Sequence, residues 1–473
     1  MKKIALILAL LLMLTPVLVA CSDSTDNKGG TSKNNEEDAN YEYTLDDLPE
    51  LDFGGKKMGI YGGKNTSGRH FDFIDAETGD VFEDAVFQRQ VTIENRYNLE
   101  FLRGSTTADQ PIDDFKNFIL ADDKTYHIFS GITSDAMFQM VYDGYFTDWY
   151  NIDHFDPTKP YWNRSLAENV NFGGKVYCMA GDISLGTYNY TNCIQFNKKL
   201  FDDLGIAYPY QDVYDYTWTI DKLIDISKQG YKDLNGNSEW DIEGDRLGFT
   251  GWGWEMNLAL YMGMGGKSIV NDEDQMPVLD INNDRTVKII DKMIELFDKK
   301  NAHSEMGTYG VHNTAFSEGR LLMRDTFLFW LETNRELDFD AGILPYPMLD
   351  EDQGKYICRS AANCCGAYWI PTTNEEVAAT GIVLEALAIE GYNKLRPIYY
   401  DVHLDLKSAP DEETIDMVDI IFESSTYINE NFISSDSFSG FINNQFNSFA
   451  SWYANYERPF RRQMKEMTAF YGA

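Results

Sequence analysis

Apolar positions follow two spacings along the first third of the chain, and the spacings alternate. The run Lys57-Met58-Gly59-Ile60-Tyr61 is β-prone and ends in Gly62-Gly63. From Asp84 to Tyr97 the apolar residues move to helical spacing, with Val86, Ile93 and Tyr97 on one face and Phe87 and Val91 beside them. Leu99-Glu100-Phe101-Leu102 reads as a strand, Ile112–Leu120 as a helix, and Tyr126-His127-Ile128-Phe129-Ser130-Gly131 as a strand again. Strands separated by helices of this length pair in parallel, so the order predicts an α/β fold. Further on, Cys193-Ile194-Gln195-Phe196 reads as a strand, and Thr219 is placed to cap a helix bearing Ile220, Leu223 and Ile224. Asp284 precedes a helix whose apolar face is predicted as Val287, Ile290, Ile294 and Phe297. The segment Ala315–Asp325 turns from helix to strand, and Ala341–Pro347 ends a strand with prolines. A capping box of Thr373 and Glu376 is expected to open a helix through Val377, Gly381, Leu384 and Ala388.

The N-terminal pattern differs from all of these. Lys2 and Lys3 precede an uncharged apolar run, Ile4 to Leu14, which is shorter than the ~20 residues of a comfortable membrane span and reads as a secretory signal. It closes in Leu18-Val19-Ala20-Cys21, a tetrapeptide that resembles a bacterial lipobox, in which the Cys21 thiol carries a diacylglyceryl group. The following residues are polar, contain no aromatic side chain until Tyr41, and have too little apolar surface to offset the entropy of ordering. They read as a tether. The expected segments are thus a signal at 1–20, a lipidated cysteine and tether at 21–44, and an ectodomain on the extracellular face of the cell membrane.

Composition narrows the partners. More than 400 remaining residues exceed one hydrophobic core, so two domains are expected. The chain has 76 acidic and 40 basic residues, a formal net charge of −36 that repels phosphate backbones and argues against nucleic acid. Of the six cysteines, five remain after Cys21. Cys178 and Cys193 are spaced to bridge neighbouring strands, yet no CxxC repeat marks a zinc site, and the set reads mostly as small buried apolar residues.

The lipobox, the stretch Ile194-Gln195-Phe196-Asn197-Lys198-Lys199-Leu200-Phe201, the helix opening Tyr216-Thr217-Trp218-Thr219, and Ala315–Met323 occur in a telling order. With Phe339–Pro347 and Ile370-Pro371 before a helix, the chain resembles the carbohydrate-type extracellular solute-binding proteins of bacterial ABC importers. That resemblance implies two discontinuous α/β lobes of the type II periplasmic-binding-protein kind, closing on a ligand held between them. Boundaries follow as 45–188 plus 318–371 for one lobe and 189–317 plus 372–473 for the other. It also implies a monomer, a sugar or oligosaccharide ligand, ABC permease subunits as separate chains, no catalysis and no required cofactor.

A sugar site needs aromatic platforms beside planar donors and acceptors. Three places near the inferred crossings supply both. Asp182, Tyr188, Tyr190 and Asn192 lie on the first crossing; Trp252 and Trp254 lie in a glycine-spaced pair; Arg324, Asp325, Asn363 and Trp369 lie near the later crossings, with Trp369 the favoured platform. A separate loop places Asp233, Asn235, Asn237, Glu239 and Asp241 at the alternating positions of an EF-hand-like calcium loop, although Ser238 replaces the usual glycine and Gly244 the closing glutamate. A secreted glycoside hydrolase would need two carboxylates across a sugar, and among so many acids a chosen pair decides nothing. No nucleophile elbow or HExxH helix is present. A surface receptor for a sensor would share the same closure and stays open beside transport.

Overall fold

The computed structural model describes residues 42–63, 73–106, 111–298, 302–305, 310–361, 366–403, 411–427, 441 and 448–472. The signal, Cys21, the tether up to residue 41, and Asn363, Cys364 and Cys365 lie outside these. Residues Tyr43–Ala473 form one compact unit.

Fourteen strands are described: β1 (Lys56–Gly63), β2 (Leu99–Thr106), β3 (Tyr126–Ile132), β4 (Cys178–Met179), β5 (Asn192–Asn197), β6 (Leu247–Trp252), β7 (Ile269–Asn271), β8 (Pro277–Leu279), β9 (Ala302–Glu305), β10 (Leu321–Phe327), β11 (Ala341–Leu344), β12 (Cys358–Ser360), β13 (Gly366–Trp369) and β14 (Ser425–Tyr427). They make two five-stranded sheets, ordered β2-β1-β3-β13-β4 and β11-β5-β10-β6-β9. Each is mixed. In the first, β1 runs parallel to β2 and β3 while β13 is antiparallel to β3 and β4; in the second, β6 runs parallel to β10 and β9 while β5 is antiparallel to β10 and β11. The predicted alternation of strand and helix is therefore present, with antiparallel strands added where the chain returns from elsewhere.

The helix Val81–Tyr97 starts where Asp80 accepts from the Phe82 and Glu83 amides, and it buries Val86, Ile93 and Tyr97. It ends at Asn98 in the left-handed region, φ 49°. Two helix expectations are corrected. In Asp284–Leu296 the buried face is Thr286, Ile289, Ile290, Met293 and Leu296, whereas Val287 and Ile294 are 44% and 48% exposed. Leu296 and Thr286 complete a stripe one residue away from the predicted one, with polar Thr286 hidden from a hydrophobicity count. The Thr373 capping box is absent: the helix Val377–Glu390 is preceded by Glu376, whose amide donates to Asn374 Oδ1 at 2.7 Å.

Lobe boundaries also change. The resemblance places 318–371 in the first lobe, but β10 is the central strand of the second sheet, pairing Met323 with Phe196 and Leu321 with Leu247. β11 joins the same sheet through Gly342 and Phe196. The start of the segment assigned to the second lobe, 372–403, belongs with the first sheet. Trp162 Nε1 donates to Glu385 Oε1 at 2.8 Å, Lys56 pairs with Glu376 at 2.7 Å, and a Cβ on Gly391 would lie 1.9 Å from the Asp182 carbonyl oxygen. β10 is buried along its whole length, so its own pattern carries no signal of which sheet receives it.

Three segments pass between the two sheets side by side. Thr191 bridges to Ser360, and β12 pairs in parallel with β14. Their hydroxyls touch: Thr191 Oγ1 lies 3.1 Å from Ser360 Oγ and 3.4 Å from Ser425 Oγ, and Ser360 Oγ lies 2.6 Å from Ser425 Oγ. All three are fully buried or nearly so.

Candidate functional site at the carboxyl ends of the second sheet

In open α/β sheets the crevice beyond the carboxyl ends of the strands is where ligands bind. β10 ends at Phe327, and its antiparallel partner β5 begins at Asn192, opposite Phe327 in register. The first crossing thus delivers Tyr190 to the carboxyl end of β10. Tyr190 meets Phe327 and Phe329 edge-on at 5.6 and 5.2 Å, Phe327 and Phe329 stack at 5.9 Å, and Trp330 follows at 4.9 Å from Phe329. Trp330 and Trp252, at the end of β6, are partly exposed. The result is an aromatic wall whose outer members reach solvent.

Behind the wall lies a buried polar chain. Asn192 Nδ2 donates to Asp325 Oδ1 at 3.0 Å, Tyr346 Oη donates to the same oxygen, Arg359 Nη1 donates to Asn192 Oδ1 at 3.2 Å, and Arg359 forms an ion pair with Glu255. Burial pushes the Asp325 carboxyl up to about 7, against the hydrogen bonds from Tyr346 and Asn192. Gly251 is needed here, because a Cβ would lie 2.4 Å from Asp325 Cβ. Every member joins two elements, so the chain fixes β5, β10, β12 and the helix Gly253–Gly263 to one another.

The structure brings together three of the predicted residues, Tyr190, Asn192 and Asp325, with Trp252 on the neighbouring strand. It separates the others. Asp182 is wholly buried under Gly391, 3.5 Å from Arg396 Nη1, and burial raises its carboxyl to about 6 with Arg396 pulling the other way. Tyr188 stacks on Phe422 at 4.3 Å beneath Arg396 and packs rather than faces solvent. Arg324 points to the opposite face of β10 from Asp325, donating to Gln195 Oε1 at 2.8 Å and Asn313 Oδ1 at 2.7 Å with its guanidinium over Phe316. Trp369, the favoured platform, is 0% exposed between Phe138 and Phe146 and belongs to the first core. All four residues of β13 are buried, so both its faces are covered. Asn363 and the side chain of Trp254 lie outside the described residues. Phe327, Phe329, Trp330, Glu255 and Arg359 were missed. Of these the run Phe327-Leu328-Phe329-Trp330, directly after a strand, carried a readable signal.

Cys178, Cys193 and Cys358 are free and buried; Cys178 and Cys193 stand on different sheets, which excludes the bridge between them. The 233–241 loop is a string of side-chain-to-backbone turns. Asp233 accepts from the Gly236 and Ser238 amides at 2.6 and 2.9 Å, Asn235 from Asn237, and Asn237 from Glu239. Ser238 adopts φ 61°, the conformation that glycine usually supplies, and buried Asp245 closes the loop on the Leu234 and Asp241 amides. Among the described residues no group of three or more His, Cys, Asp or Glu gathers at metal-holding distance. Any ion here would depend on the amide oxygens of Asn235 and Asn237 beside Asp233 and Asp241, an all-oxygen set of the hard kind that suits calcium.

Comparison with solved structures decides the architecture. A substrate-binding protein of an ABC system from Listeria monocytogenes, in complex with cycloalternan, matches 87% of this chain and 99% of its own at 14% identity and a TM-score of 0.53. The fold is that of the two-lobed solute-binding proteins. A cyclo/maltodextrin-binding protein complexed with maltotetraose matches over 87% and 97% at 12% identity and a TM-score of 0.56. A family 1 extracellular solute-binding protein from Bifidobacterium longum subsp. infantis matches over 89% and 100% at 17% identity and a TM-score of 0.55. No family model and no curated relative matches the sequence. Among the described residues no helix is long and apolar enough to cross a membrane.

Proposed function

We propose that this chain is the ligand-capturing subunit of an ABC importer, taking a sugar or oligosaccharide between its two sheets and presenting it to a separate permease. The observation that carries the reading is the set of three adjacent crossing strands joining two α/β sheets, with an aromatic wall at the carboxyl ends of the second. Aromatic rings suit the C–H faces of a pyranose, and a narrow ribbon lets two sheets close on a guest by small backbone rotations. The sugars bound by the structural neighbours support the ligand class. Asp182 and Asp325, the buried carboxylates with raised pKa nearest the crossings, are held by Arg396 and by Asn192 and Tyr346. Lipid attachment at Cys21 would hold the subunit, as a monomer, on the extracellular face of the membrane; Cys21→Ala should release it to the medium.

Calorimetry with maltose, maltotriose, maltotetraose and cyclic glucans tests the ligand, and small-angle scattering tests closure. A binding sugar should reduce the radius of gyration, and Trp330→Ala should weaken that sugar by about tenfold or more. Binding with no compaction, or full affinity in the variant, overturns the reading.

A further inference from the structure

A cavity of about 270 Å³ lies away from the aromatic wall. Its sides come from the helix Arg164–Val170, which packs by β4 of the first sheet, from the loop after the helix Gly253–Gly263 of the second, and from the third crossing. That second helix begins at the carboxyl end of β6 and runs for 11 residues, carrying its far end roughly 16 Å away. None of its lining residues belongs to the aromatic wall, although Ser425 Oγ lies 3.4 Å from Thr191 Oγ1, beside Tyr190.

Its floor is hydroxyl and amide: Ser268, Ser425 and Thr426 are buried, and Asn169 Nδ2 donates to Thr426 Oγ1 at 3.0 Å. Its rim is charged with both signs. Lys267, Lys355 and Arg164 stand with Glu168 and Glu423, all exposed. Arg164 donates to the Thr158 carbonyl at 2.9 Å, while the two lysines and two glutamates take part in no ion pair among the described residues. Elsewhere on this surface lysines commonly pair with carboxylates, as Lys199 does with Asp203 and Lys292 with Asp221. Here opposite charges face a common space without neutralising each other.

We propose that this cavity is a second ligand site, for a small zwitterion carrying a carboxylate and an ammonium group, the chemistry of an amino acid. The lysines and Arg164 would take the carboxylate, and the glutamates the ammonium. A simple anion fits less well, because a chain of net charge −36 repels it and two carboxylates stand at the mouth. A neutral sugar would leave five charges unanswered.

The test is calorimetry of the full chain with each standard amino acid at millimolar concentration, with acetate and glycerol as controls. The expected result is one-to-one binding of at least one amino acid and of neither control. Affinity should fall about tenfold or more in both Lys267→Ala/Lys355→Ala and Glu168→Gln/Glu423→Gln, with circular dichroism and sugar binding unchanged. Absence of amino-acid binding, binding unaffected in both variants, equal binding of acetate, or displacement by a sugar would each overturn the proposal. Loss of sugar binding to Trp330→Ala bears on the other site alone, so the two proposals fail separately.

Discussion

Replacing Arg359 by methionine removes the cation from the chain of contacts behind the aromatic wall while keeping an unbranched side chain of similar length. The side chains of Arg359 and Glu255 are 5% and 1% exposed, so neither charge is shared with water. Breaking such a pair from one side leaves an uncompensated buried charge and costs about 3–5 kcal/mol. Arg359 also donates to Asn192 Oδ1, and the acceptor it abandons adds ~1 kcal/mol. The total, about 4–6 kcal/mol, is a large share of the ~5–15 kcal/mol that holds a typical protein folded. Urea denaturation should show the midpoint falling steeply with the slope unchanged. The double variant Glu255→Gln/Arg359→Met removes the stranded charge and should recover at least ~2 kcal/mol, a coupling of the size expected for contacting residues. A single variant costing less than ~1 kcal/mol, or a double variant no more stable than the single, would refute the account of Arg359 as the partner that makes Glu255 tolerable.

Three further outcomes follow from other parts of the molecule. Asp325 has a folded pKa raised from 3.8 to about 7, so the folded state holds its proton more tightly than the unfolded chain. Its contribution is fully present below about pH 4 and is lost as pH rises through about 7. Asp325→Asn, which keeps an acceptor for Asn192 and Tyr346, should therefore raise the melting temperature near pH 8 more than near pH 5, and equal shifts at both would contradict this. Trp369→Ala should cost about 3–5 kcal/mol in denaturant titration while the remaining folded protein binds sugar normally; weakened binding at full stability would return the ring to the site. We propose structural calcium at the 233–241 loop: after chelation, saturating calcium at a hundredfold its Kd should stabilise the protein by ~2.7 kcal/mol, an effect lost in Asp241→Ala, and no thermal shift would exclude it.

Much of the fold was legible because local spacing reports it. β1, β2, β3 and the helices between them follow from alternation and 3.6-residue periodicity, and Thr219 stands at the start of its helix, although its side chain makes no capping hydrogen bond. What failed was long-range. Leu321–Phe327 is apolar enough for either sheet, and only pairing with Phe196 and Leu247 assigns it. Aromatic residues beside a boundary suit a cleft, which makes Trp369 a candidate platform, but every residue of its strand is buried on whichever face it points to. Asn192 and Asp325 were chosen for hydrogen-bonding chemistry, and they do lie together. Their partners Glu255 and Arg359 stand more than a hundred residues apart, a distance over which composition says nothing.

β13 has a temporal consequence. It occupies the slot between β3 and β4, yet its residues, 366–369, leave the ribosome after β5 through β11 have all been made. During synthesis at ~5–20 residues per second, the later-encoded sheet is complete while the earlier one still has an open seam along β3. Nascent chains stalled before residue 366 should thus show protease protection over 192–344 first, inverting the usual order in which the N-terminal part of a protein matures ahead of the rest.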